Sequence, residues 1–258
     1  MIPPLPGTFL GAPIAHRALH DRARGRPENS RAAVRAAVAA GYGIEIDLQI
    51  SADGQALVFH DSDLMRLTGR PGSVRSLSAR QAGAVPLLHG DGEGIPTLNE
   101  VLEIVAGQVA LLIEIKDQTG SGGPGIGPLE AAVVRALGGY AGPVAVMSFN
   151  PLAVAEMARI APGVARGLVT CSWDDPEDRA GLDPATIARL RAIADFEPAG
   201  AAFISHEAAD LTRPRVAALR AGGVPVLCWT IRSPGQERAA RRHADNITFE
   251  DYLAALPA

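Results

Sequence analysis

Residues 43–61 read Gly-Ile-Glu-Ile-Asp-Leu-Gln-Ile-Ser-Ala-Asp-Gly-Gln-Ala-Leu-Val-Phe-His-Asp, and the fold is organised around this stretch. Two apolar runs typical of β-strands, 44–50 and 56–59, lie on either side of a turn at 51–54. The turn contains an Asp-Gly pair, which is a strong hairpin signal between apolar runs. The stretch therefore predicts a strand followed at once by a second strand that runs back beside it.

Two acidic residues, Glu45 and Asp47, alternate with apolar residues in the first run. Residues i and i+2 of a strand point to the same face, so both carboxylates are expected at one place. Two buried like charges are costly unless a positive charge lies between them. The second run then ends in His60 and Asp61. We interpret the stretch as one half of an active site.

The rest of the chain alternates between apolar runs and helical segments. The predicted strands are 9–15, 44–50 with its hairpin partner 56–59, 109–116, 143–147, 164–169, 201–205, 224–231 and 244–249. The predicted helices are 31–40, one that begins after the N-cap Thr97, 128–137, 151–160, 183–194, 214–221, 234–243 and 250–256. Eight strand–helix units in 258 residues predict an α/β protein, a closed (β/α)8 TIM barrel formed by one domain over 1–258.

The composition excludes several kinds of partner. A net charge of -4 and an aromatic content of 4% argue against nucleic-acid binding. The longest apolar runs are too short to span a bilayer, so we expect no stable membrane insertion. Two cysteines cannot form a disulfide framework, and the N-terminal segment lacks the pattern of a signal peptide. We therefore expect a cytoplasmic protein, and the sequence leaves its oligomeric state open.

Active sites of such barrels lie at the carboxyl ends of the strands. The chemically suggestive residues of this chain fall at that end of the predicted barrel. They are His16, Arg17, Glu45, Asp47, His60, Glu114, Lys116 and Trp229. Acidic residues are depleted in strands, and barrel strands are covered by helices, so these acids are difficult to explain as solvated surface. Their shared position favours a functional role.

Three carboxylates, from Glu45, Asp47 and Glu114, suit one hard divalent cation, Mg²⁺ or Ca²⁺. Zinc would prefer nitrogen or sulfur ligands. A cation with two histidines, an arginine and a lysine provides what hydrolysis of a phosphate ester requires. Two of these assignments stay open on residue type alone. Lys116 is equally explained as a counter-ion of Glu114. A tryptophan such as Trp229 is more often a core residue than a platform for a ligand.

The chain resembles the glycerophosphodiester phosphodiesterase family. The matching motifs, in family order, are His16-Arg17, Pro27-Glu28-Asn29-Ser30, Glu45-Ile46-Asp47, Asp53-Gly54, His60-Asp61, Ile95-Pro96-Thr97-Leu98, Glu114-Ile115-Lys116, Ser148-Phe149 and Trp229-Thr230. The resemblance implies a TIM barrel with a small insertion after strand two, at about 62–96. It also implies metal-dependent hydrolysis of a small-molecule glycerophosphodiester to glycerol 3-phosphate and an alcohol.

The resemblance also implies a role for individual residues. Glu45, Asp47 and Glu114 correspond to the metal ligands, and His16 and His60 to the acid–base pair. The substrate-binding positions are Arg17 and Lys116 at the phosphate, Trp229 at the glycerol, and Glu28 near the metal. We expect His16 to be the base and His60 the acid, although the sequence does not fix this order. The nucleophile is either water or the neighbouring glycerol hydroxyl.

The chain departs from the family pattern at three places. Ala18 stands where the family usually has glycine, and the loop 18–26 is longer than usual. Near the C-terminus, Thr248-Phe249-Glu250 replaces the common Thr-Asp ending. Glycine at the first position would allow a left-handed backbone, so we expect this loop to have another shape.

Two other functions are consistent with the same motifs. A lysophospholipase D type of enzyme would act on lysophospholipids and would need an apolar rim, whereas the loops 18–26 and 120–127 are polar or glycine-rich. A non-catalytic protein that binds phosphodiesters would use the same barrel, but such proteins tend to lose an acid or a histidine. The head group and the choice between Mg²⁺ and Ca²⁺ are not set by the sequence.

Overall fold

A closed parallel sheet forms the centre of the molecule. In the computed structural model, which describes residues 2–119, 125–176 and 179–257, β1 pairs with both β2 and β9 and so closes the sheet. The strands are β1 (Ile14–Ala15), β2 (Gly43–Ile50), β3 (Ala56–Val58), β4 (Leu111–Ile115), β5 (Val144–Ser148), β6 (Ala165–Thr170), β7 (Phe203–Glu207), β8 (Val226–Ile231) and β9 (Asn246–Phe249). All are parallel to their neighbours except β3, which is antiparallel to β2. The predicted TIM barrel and the predicted hairpin are both confirmed.

The chain has nine helices in its described residues. They are α1 (Arg31–Ala40), α2 (Met65–Thr68), α3 (Ala79–Gly83), α4 (Leu98–Val105), α5 (Pro128–Leu137), α6 (Pro151–Ile160), α7 (Pro184–Arg191), α8 (Pro214–Ala221) and α9 (Pro234–Ala240). All but α2 and α3 cover the outer faces of the barrel strands. Their apolar faces and the outward side chains of the strands share one large core. The inward side chains form a second cluster within the barrel. The site therefore lies on a scaffold packed from both sides.

Local sequence signals account for several helix ends. The Ser30 side chain accepts a hydrogen bond from the Ala33 N–H and so caps α1, which ends at Gly41 with φ of 77°. Thr97 and Glu100 form the reciprocal capping box of α4 that the sequence predicts. These caps satisfy N–H and C=O groups that have no partner inside the helix.

The predicted strand 9–15 is wrong over most of its length. Gly7–Leu10 forms a short 3-10 helix, and β1 contains only Ile14 and Ala15. Phe9 is fully buried and packs with Ile14 in the cluster inside the barrel. The apolar character of this segment therefore reflects Phe9 filling the barrel interior. An apolar run alone does not distinguish this role from that of a buried strand.

The predicted helix 250–256 is absent, since the described residues after β9 form bends and coil. Asp251 has φ of 66°, which is incompatible with a helix. Tertiary contacts hold this segment instead. Tyr252 donates a hydrogen bond to Glu237, and the Ala254 carbonyl accepts one from Tyr42. The eighth strand is therefore not followed by a helix within the described part of the chain.

The segment between β3 and α4 is an insertion with an apolar cluster of its own. It contains α2, α3 and a 3-10 turn at Val74–Ser76. Leu64, Leu67 and Val74 pack there against Phe59 and Ile95, which connect the segment to the barrel. The insertion thus lies directly after His60 in the chain.

Two further predictions concern loops and membranes. Of the predicted flexible loop 120–127, residues 120–124 lie outside the described residues. Within 2–119, 125–176 and 179–257, no helix has both the length and the apolar character needed to cross a bilayer. Both cysteines, Cys171 and Cys228, are buried, and neither forms a disulfide.

Candidate active site

Three buried carboxylates meet inside the barrel. Glu45 and Asp47 point inward from β2, and Asp47 lies directly beside Glu114 of β4 in the strand register. One oxygen from each of the three residues lies within 4.8 Å of the others. All three side chains belong to buried residues. The period of the strand, together with the parallel register, therefore collects three negative charges at one point.

Lys116, two residues beyond Glu114, supplies a positive charge to this cluster. Its Nζ lies 2.8 Å from Asp47 Oδ1 and 2.6 Å from Glu114 Oε1. The other Asp47 oxygen accepts a hydrogen bond of 2.8 Å from the Asn29 side chain. Asn29 thereby fixes the orientation of Asp47, a role that the sequence reading did not assign to it.

The surroundings shift the pKa values of Glu45 and Asp47 in opposite directions. Burial, with the charges of Asp47 and Glu114, raises the pKa of Glu45 well above its ordinary value. Burial opposes ionisation of Asp47 as well, but the charges of Lys116 and His60 hold its pKa far below the usual range. Glu45 is therefore the acid with the least compensation by neighbouring charges.

The donor set fits a divalent cation. Glu45 Oε2 accepts the Arg17 backbone N–H at 2.8 Å, whereas Glu45 Oε1 is buried with no hydrogen-bond partner among the described residues. An oxygen left without a partner in a buried acidic cluster is an expected feature of a metal ligand. Three carboxylates and no sulfur or imidazole nitrogen favour Mg²⁺ or Ca²⁺ over zinc.

His16 follows β1 and is held by a carboxylate from the other end of the chain. Its Nδ1 lies 2.6 Å from Glu250 Oε2, and His20 Nε2 lies 3.4 Å from the same oxygen. Arg232 donates to the second Glu250 oxygen at 2.7 Å. Glu250 is part of the segment that departs from the family pattern. Its contact with His16 joins residues 234 positions apart, so no local signal reveals it.

These contacts determine which nitrogen of the His16 ring carries the proton. Burial opposes ionisation of Glu250, but hydrogen bonds from His16 and His20 hold its pKa far below the usual range. Burial lowers the pKa of His16, against the opposing effect of Glu250. A neutral imidazole that donates its Nδ1 proton to a carboxylate has a free lone pair on Nε2.

His60 has a carboxylate partner next to it in the chain. Its Nδ1 lies 2.7 Å from Asp61 Oδ1. Arg66, in α2 of the insertion, donates two hydrogen bonds to Asp61 and two to Glu28. The His60-Asp61 motif is visible in the sequence. The role of Arg66 is not, because Arg66 and Glu28 are 38 positions apart and share no local motif.

Arg17 lies between the cluster of three carboxylates and Glu28. Its Nη1 donates to Glu28 Oε1 at 2.8 Å, and its Nε is 3.6 Å from Asp47 Oδ2. Arg66 takes both Glu28 oxygens at 2.8 Å. Glu28, which the resemblance placed near metal and substrate, thus has its carboxylate occupied by two arginines.

Ala18 keeps the backbone that glycine would favour. Its φ is 63°, and its N–H donates to the Glu45 carbonyl at 2.9 Å. Ala18 itself thus has a left-handed backbone, whereas the expected difference in the shape of the loop 18–26 stays a prediction. A left-handed alanine costs about 1 kcal/mol, which the hydrogen bond and burial of its methyl group offset.

The opposite half of the barrel mouth is aromatic. Trp229 lies edge-to-face with Phe149 at a centroid distance of 5.6 Å, and Phe149 with Trp173 at 5.9 Å. Trp229 Nε1 donates to the Ser205 carbonyl at 3.0 Å. Its ring is half-buried, so one part packs in the core and the remainder is available to a ligand. The packing agrees with a core role for Trp229, and its contact with the glycerol stays a prediction.

The other histidines differ in burial and in their hydrogen-bond partners. His206 is fully buried and hydrogen-bonded to Thr170 and Asp210, as expected for a structural histidine. His243 is exposed. His20 lies against Glu250 beside His16, with 3.4 Å between its Nε2 and Glu250 Oε2.

Comparison with known proteins identifies the family. The model of the glycerophosphoryl diester phosphodiesterase family matches residues 16–251, nearly the whole chain. The chain belongs to this family. It is accordingly a phosphodiesterase, a hydrolase, as the sequence motifs predicted.

Relatives within the family cover almost the full chain. The glycerophosphodiester phosphodiesterase of Caldanaerobacter subterraneus subsp. tengcongensis is 29% identical over 249 residues, covering 92% of this chain and 93% of that protein. A putative glycerophosphodiester phosphodiesterase of Bacillus subtilis is 27% identical over 242 residues, covering 91% and 90%.

Solved structures agree in fold. A phosphodiesterase of Oleispira antarctica, in complex with the product sn-glycerol-3-phosphate, has a TM-score of 0.73 and 25% identity, with 95% of this chain and 94% of that chain covered. A putative family member of Silicibacter pomeroyi has a TM-score of 0.76 at 23% identity, with 98% and 95% covered, and shows likeness of fold alone.

Proposed function

We propose that this family member hydrolyses glycerophosphodiesters to sn-glycerol 3-phosphate and an alcohol, using a divalent cation and two histidines. The observation that carries the proposal is the convergence of Glu45, Asp47 and Glu114 within 4.8 Å, with Glu45 Oε1 buried and without a hydrogen-bond partner in the described part of the chain. The Oleispira antarctica phosphodiesterase, of the same fold, has sn-glycerol-3-phosphate as its product, which supports the substrate class.

His16 is the proposed general base. Glu250 accepts its Nδ1 proton, so Nε2 accepts the proton of the nucleophile, which is water or the neighbouring glycerol hydroxyl. The lowered pKa keeps this ring neutral at pH 7, as a base must be. Glu250 then stabilises the imidazolium that forms, as an orienting carboxylate does in other hydrolases.

His60 is the proposed general acid. Asp61 orients its ring through Nδ1, and the opposite nitrogen gives a proton to the oxygen of the departing alcohol. The phosphorus–oxygen bond to the alcohol breaks as the bond to the nucleophile forms. With water as the nucleophile, the products are the alcohol and glycerol 3-phosphate; His16 has gained one proton and His60 has lost one, and exchange with solvent restores both.

Positive charge at the phosphate comes from Arg17 and Lys116. Both lie against the acids that hold the metal, with Arg17 Nε 3.6 Å and Lys116 Nζ 2.8 Å from Asp47. A divalent cation held by Glu45, Asp47 and Glu114 would neutralise the non-bridging phosphate oxygens. Trp229 would provide an apolar wall for the carbon atoms of the glycerol.

The test is hydrolysis of glycerophosphocholine, glycerophosphoethanolamine and glycerophosphoglycerol with Mg²⁺, Ca²⁺ or EDTA. We expect turnover with one of the cations, none with EDTA, and a loss of at least about 10²-fold in His16→Asn, His60→Asn and Glu45→Ala. His243→Gln, which changes an exposed histidine, is the control and should retain activity. Full activity of Glu45→Ala, or turnover in EDTA, would refute the metal-dependent mechanism.

The same assay separates the two alternative functions. Lysophosphatidylcholine as an additional substrate detects a lysophospholipase D activity. Met65, in α2 of the insertion, is half exposed. This exposed apolar side chain is the reason to test a lysophospholipid, which would need an apolar rim. Binding of a glycerophosphodiester without any turnover would support the non-catalytic alternative.

A further inference from the structure

Arg66 makes an unusually complete set of contacts for a residue of the insertion. Its Nη1 and Nη2 each donate to Glu28 at 2.8 Å. Its Nε and Nη2 donate to Asp61 at 2.7 and 2.9 Å. Two bidentate pairs on one guanidinium fix its plane relative to both carboxylates, a geometry that lysine cannot reproduce.

Each of the two carboxylates also holds a residue of the proposed machinery. Asp61 contacts His60 Nδ1 at 2.7 Å, and Glu28 accepts from Arg17 Nη1 at 2.8 Å. A continuous series of hydrogen bonds therefore runs from His60 through Asp61, Arg66 and Glu28 to Arg17. It joins the proposed acid to the proposed phosphate contact.

The charges along this series alternate. Arg66 lies between the negative charges of Asp61 and Glu28, and Arg17 lies on the far side of Glu28. Without Arg66, Glu28 would have only Arg17 as a close cationic partner among these residues. Its second oxygen would then attract that guanidinium away from the position it now occupies.

We propose that Arg66 is a positioning residue which holds both His60 and Arg17 in place, so that the insertion completes the active site. Glu28 and Asp61 transmit its effect, and none of the three needs to touch the substrate. The inference rests on the proposed function, because it takes His60 as the acid and Arg17 as the phosphate contact.

A purely structural role, as an anchor of the insertion, is the competing explanation. The insertion has its own apolar cluster, in which Leu64, Leu67 and Val74 pack against Phe59 and Ile95. This cluster does not include Arg66, whose side chain is 40% exposed. Loss of the guanidinium should therefore leave the insertion folded while the two contacts at the site loosen.

The variants are Arg66→Gln and Arg66→Lys, with Arg220→Gln as a matched control. Arg220 is 37% exposed, and its Nε and Nη2 both donate to Asp245 Oδ1, at 3.0 and 2.9 Å. Asp245 precedes β9, so the control pair lies at the amino end of the barrel, away from the proposed site. Melting temperature, kcat, KM and binding of sn-glycerol 3-phosphate are measured for each protein.

We expect Arg66→Gln to lower kcat/KM by about 10²-fold, since a small displacement of positioned groups has effects of this size. Both kcat and KM should change, because His60 and Arg17 are affected together. Binding of sn-glycerol 3-phosphate should weaken several-fold, and the melting temperature should fall no more than in Arg220→Gln. Arg66→Lys should have a kcat/KM between those of Arg66→Gln and the wild type, because lysine keeps the charge but cannot form the two bidentate pairs.

A double variant tests the path through Glu28. In a Glu28→Gln background, the additional effect of Arg66→Gln on KM should be much smaller than in the wild type, because the two residues act through one contact. Independent, multiplicative effects would contradict the series of hydrogen bonds proposed here.

The outcomes distinguish this inference from the proposed function. Absence of wild-type turnover on every substrate and cation overturns the proposed function and the inference with it. Wild-type turnover with Arg66→Gln within threefold of it overturns the inference alone. A variant Arg66→Gln that melts well below Arg220→Gln, with Arg66→Lys fully active, identifies an anchor and also overturns the inference.

Discussion

Glu45 and Lys116 show how the metal site is balanced at the level of single residues. Lys116 bridges Asp47 and Glu114, so those two acids have a close counter-ion. Glu45 Oε1 has no hydrogen-bond partner among the described residues, and burial raises the pKa of Glu45. In the absence of metal, Glu45 should therefore reduce stability, whereas Lys116 should increase it.

The substitution Glu45→Gln tests the first half of this statement. It removes an uncompensated buried charge, so the free energy of unfolding without metal should stay the same or increase. The rise in melting temperature on adding Mg²⁺ or Ca²⁺ should be largely lost, since that rise depends on binding to the folded state. Melting curves in EDTA and in millimolar cation measure both effects.

Lys116→Met is the opposite case and serves as the comparison. It leaves Asp47 and Glu114 without their shared ammonium group and should cost about 3 kcal/mol of unfolding free energy in EDTA. Added cation should restore part of this loss, because it supplies positive charge to the same acids. A Glu45→Gln protein that is destabilised as much as Lys116→Met would contradict the proposed division of roles.

At the level of elements, the position of the insertion depends on a close approach between two glycines. A Cβ atom on Gly94 would lie 2.0 Å from the Gly83 carbonyl oxygen and 2.5 Å from its carbon. These are backbone atoms at the end of α3, so they cannot move aside as a side chain could. The strand-like segment before α4 and the helix α3 are thus held at a distance that only glycine permits.

Gly94→Ala should therefore cost about 1–3 kcal/mol of unfolding free energy through overpacking. It should also lower kcat/KM, because a displaced insertion moves Arg66 and loosens His60 and Arg17. The measurements are denaturant unfolding and steady-state kinetics.

Gly83→Ala is the matched control for this prediction. A Cβ at Gly83 meets no atom within 4 Å, so the substitution should change the unfolding free energy by less than about 1 kcal/mol. Equal stability of the two variants would show that the insertion is not packed as described.

At the level of the whole molecule, buried histidines make stability depend on pH. His206 is fully buried, and burial lowers its pKa below the ordinary value, against the opposing charge of Asp210. Arg213 faces the same carboxylate, and Thr170 bonds the other ring nitrogen. Below the ordinary histidine pKa of about 6.5, the unfolded chain binds a proton that folded His206 does not.

Stability should consequently fall as pH decreases below about 6.5, by up to about 1.4 kcal/mol per pH unit for each such group. His16 has a lowered pKa for the same reason and should add to the slope. Urea unfolding at pH 5.5, 6.5 and 7.5 measures it. His206→Gln should show a smaller slope than the wild type, whatever its absolute stability, and an unchanged slope would show that His206 is not responsible.

Local pattern in the sequence determined much of the architecture. Alternation along β2 requires Glu45 and Asp47 to share a face, because a strand repeats every two residues. Ser30 and Thr97 cap their helices through hydrogen bonds that reach only three residues. Short-range geometry of this kind depends on neighbouring residues alone, so the hairpin and the shared face of Glu45 and Asp47 could be predicted. The barrel and the approach of Glu114 followed from the alternation of eight strands and helices along the chain.

Only the tertiary structure decided the remaining features, since they depend on contacts between distant segments. The cluster around Phe9 overrides the predicted strand 9–15, and the contacts of Tyr252 replace the predicted helix after β9. Glu250 reaches His16 across 234 positions, and Arg66 reaches Glu28 across 38. Ion pairs form between charged groups that are close in space. The sequence indicates that closeness only for residues that are neighbours in the chain.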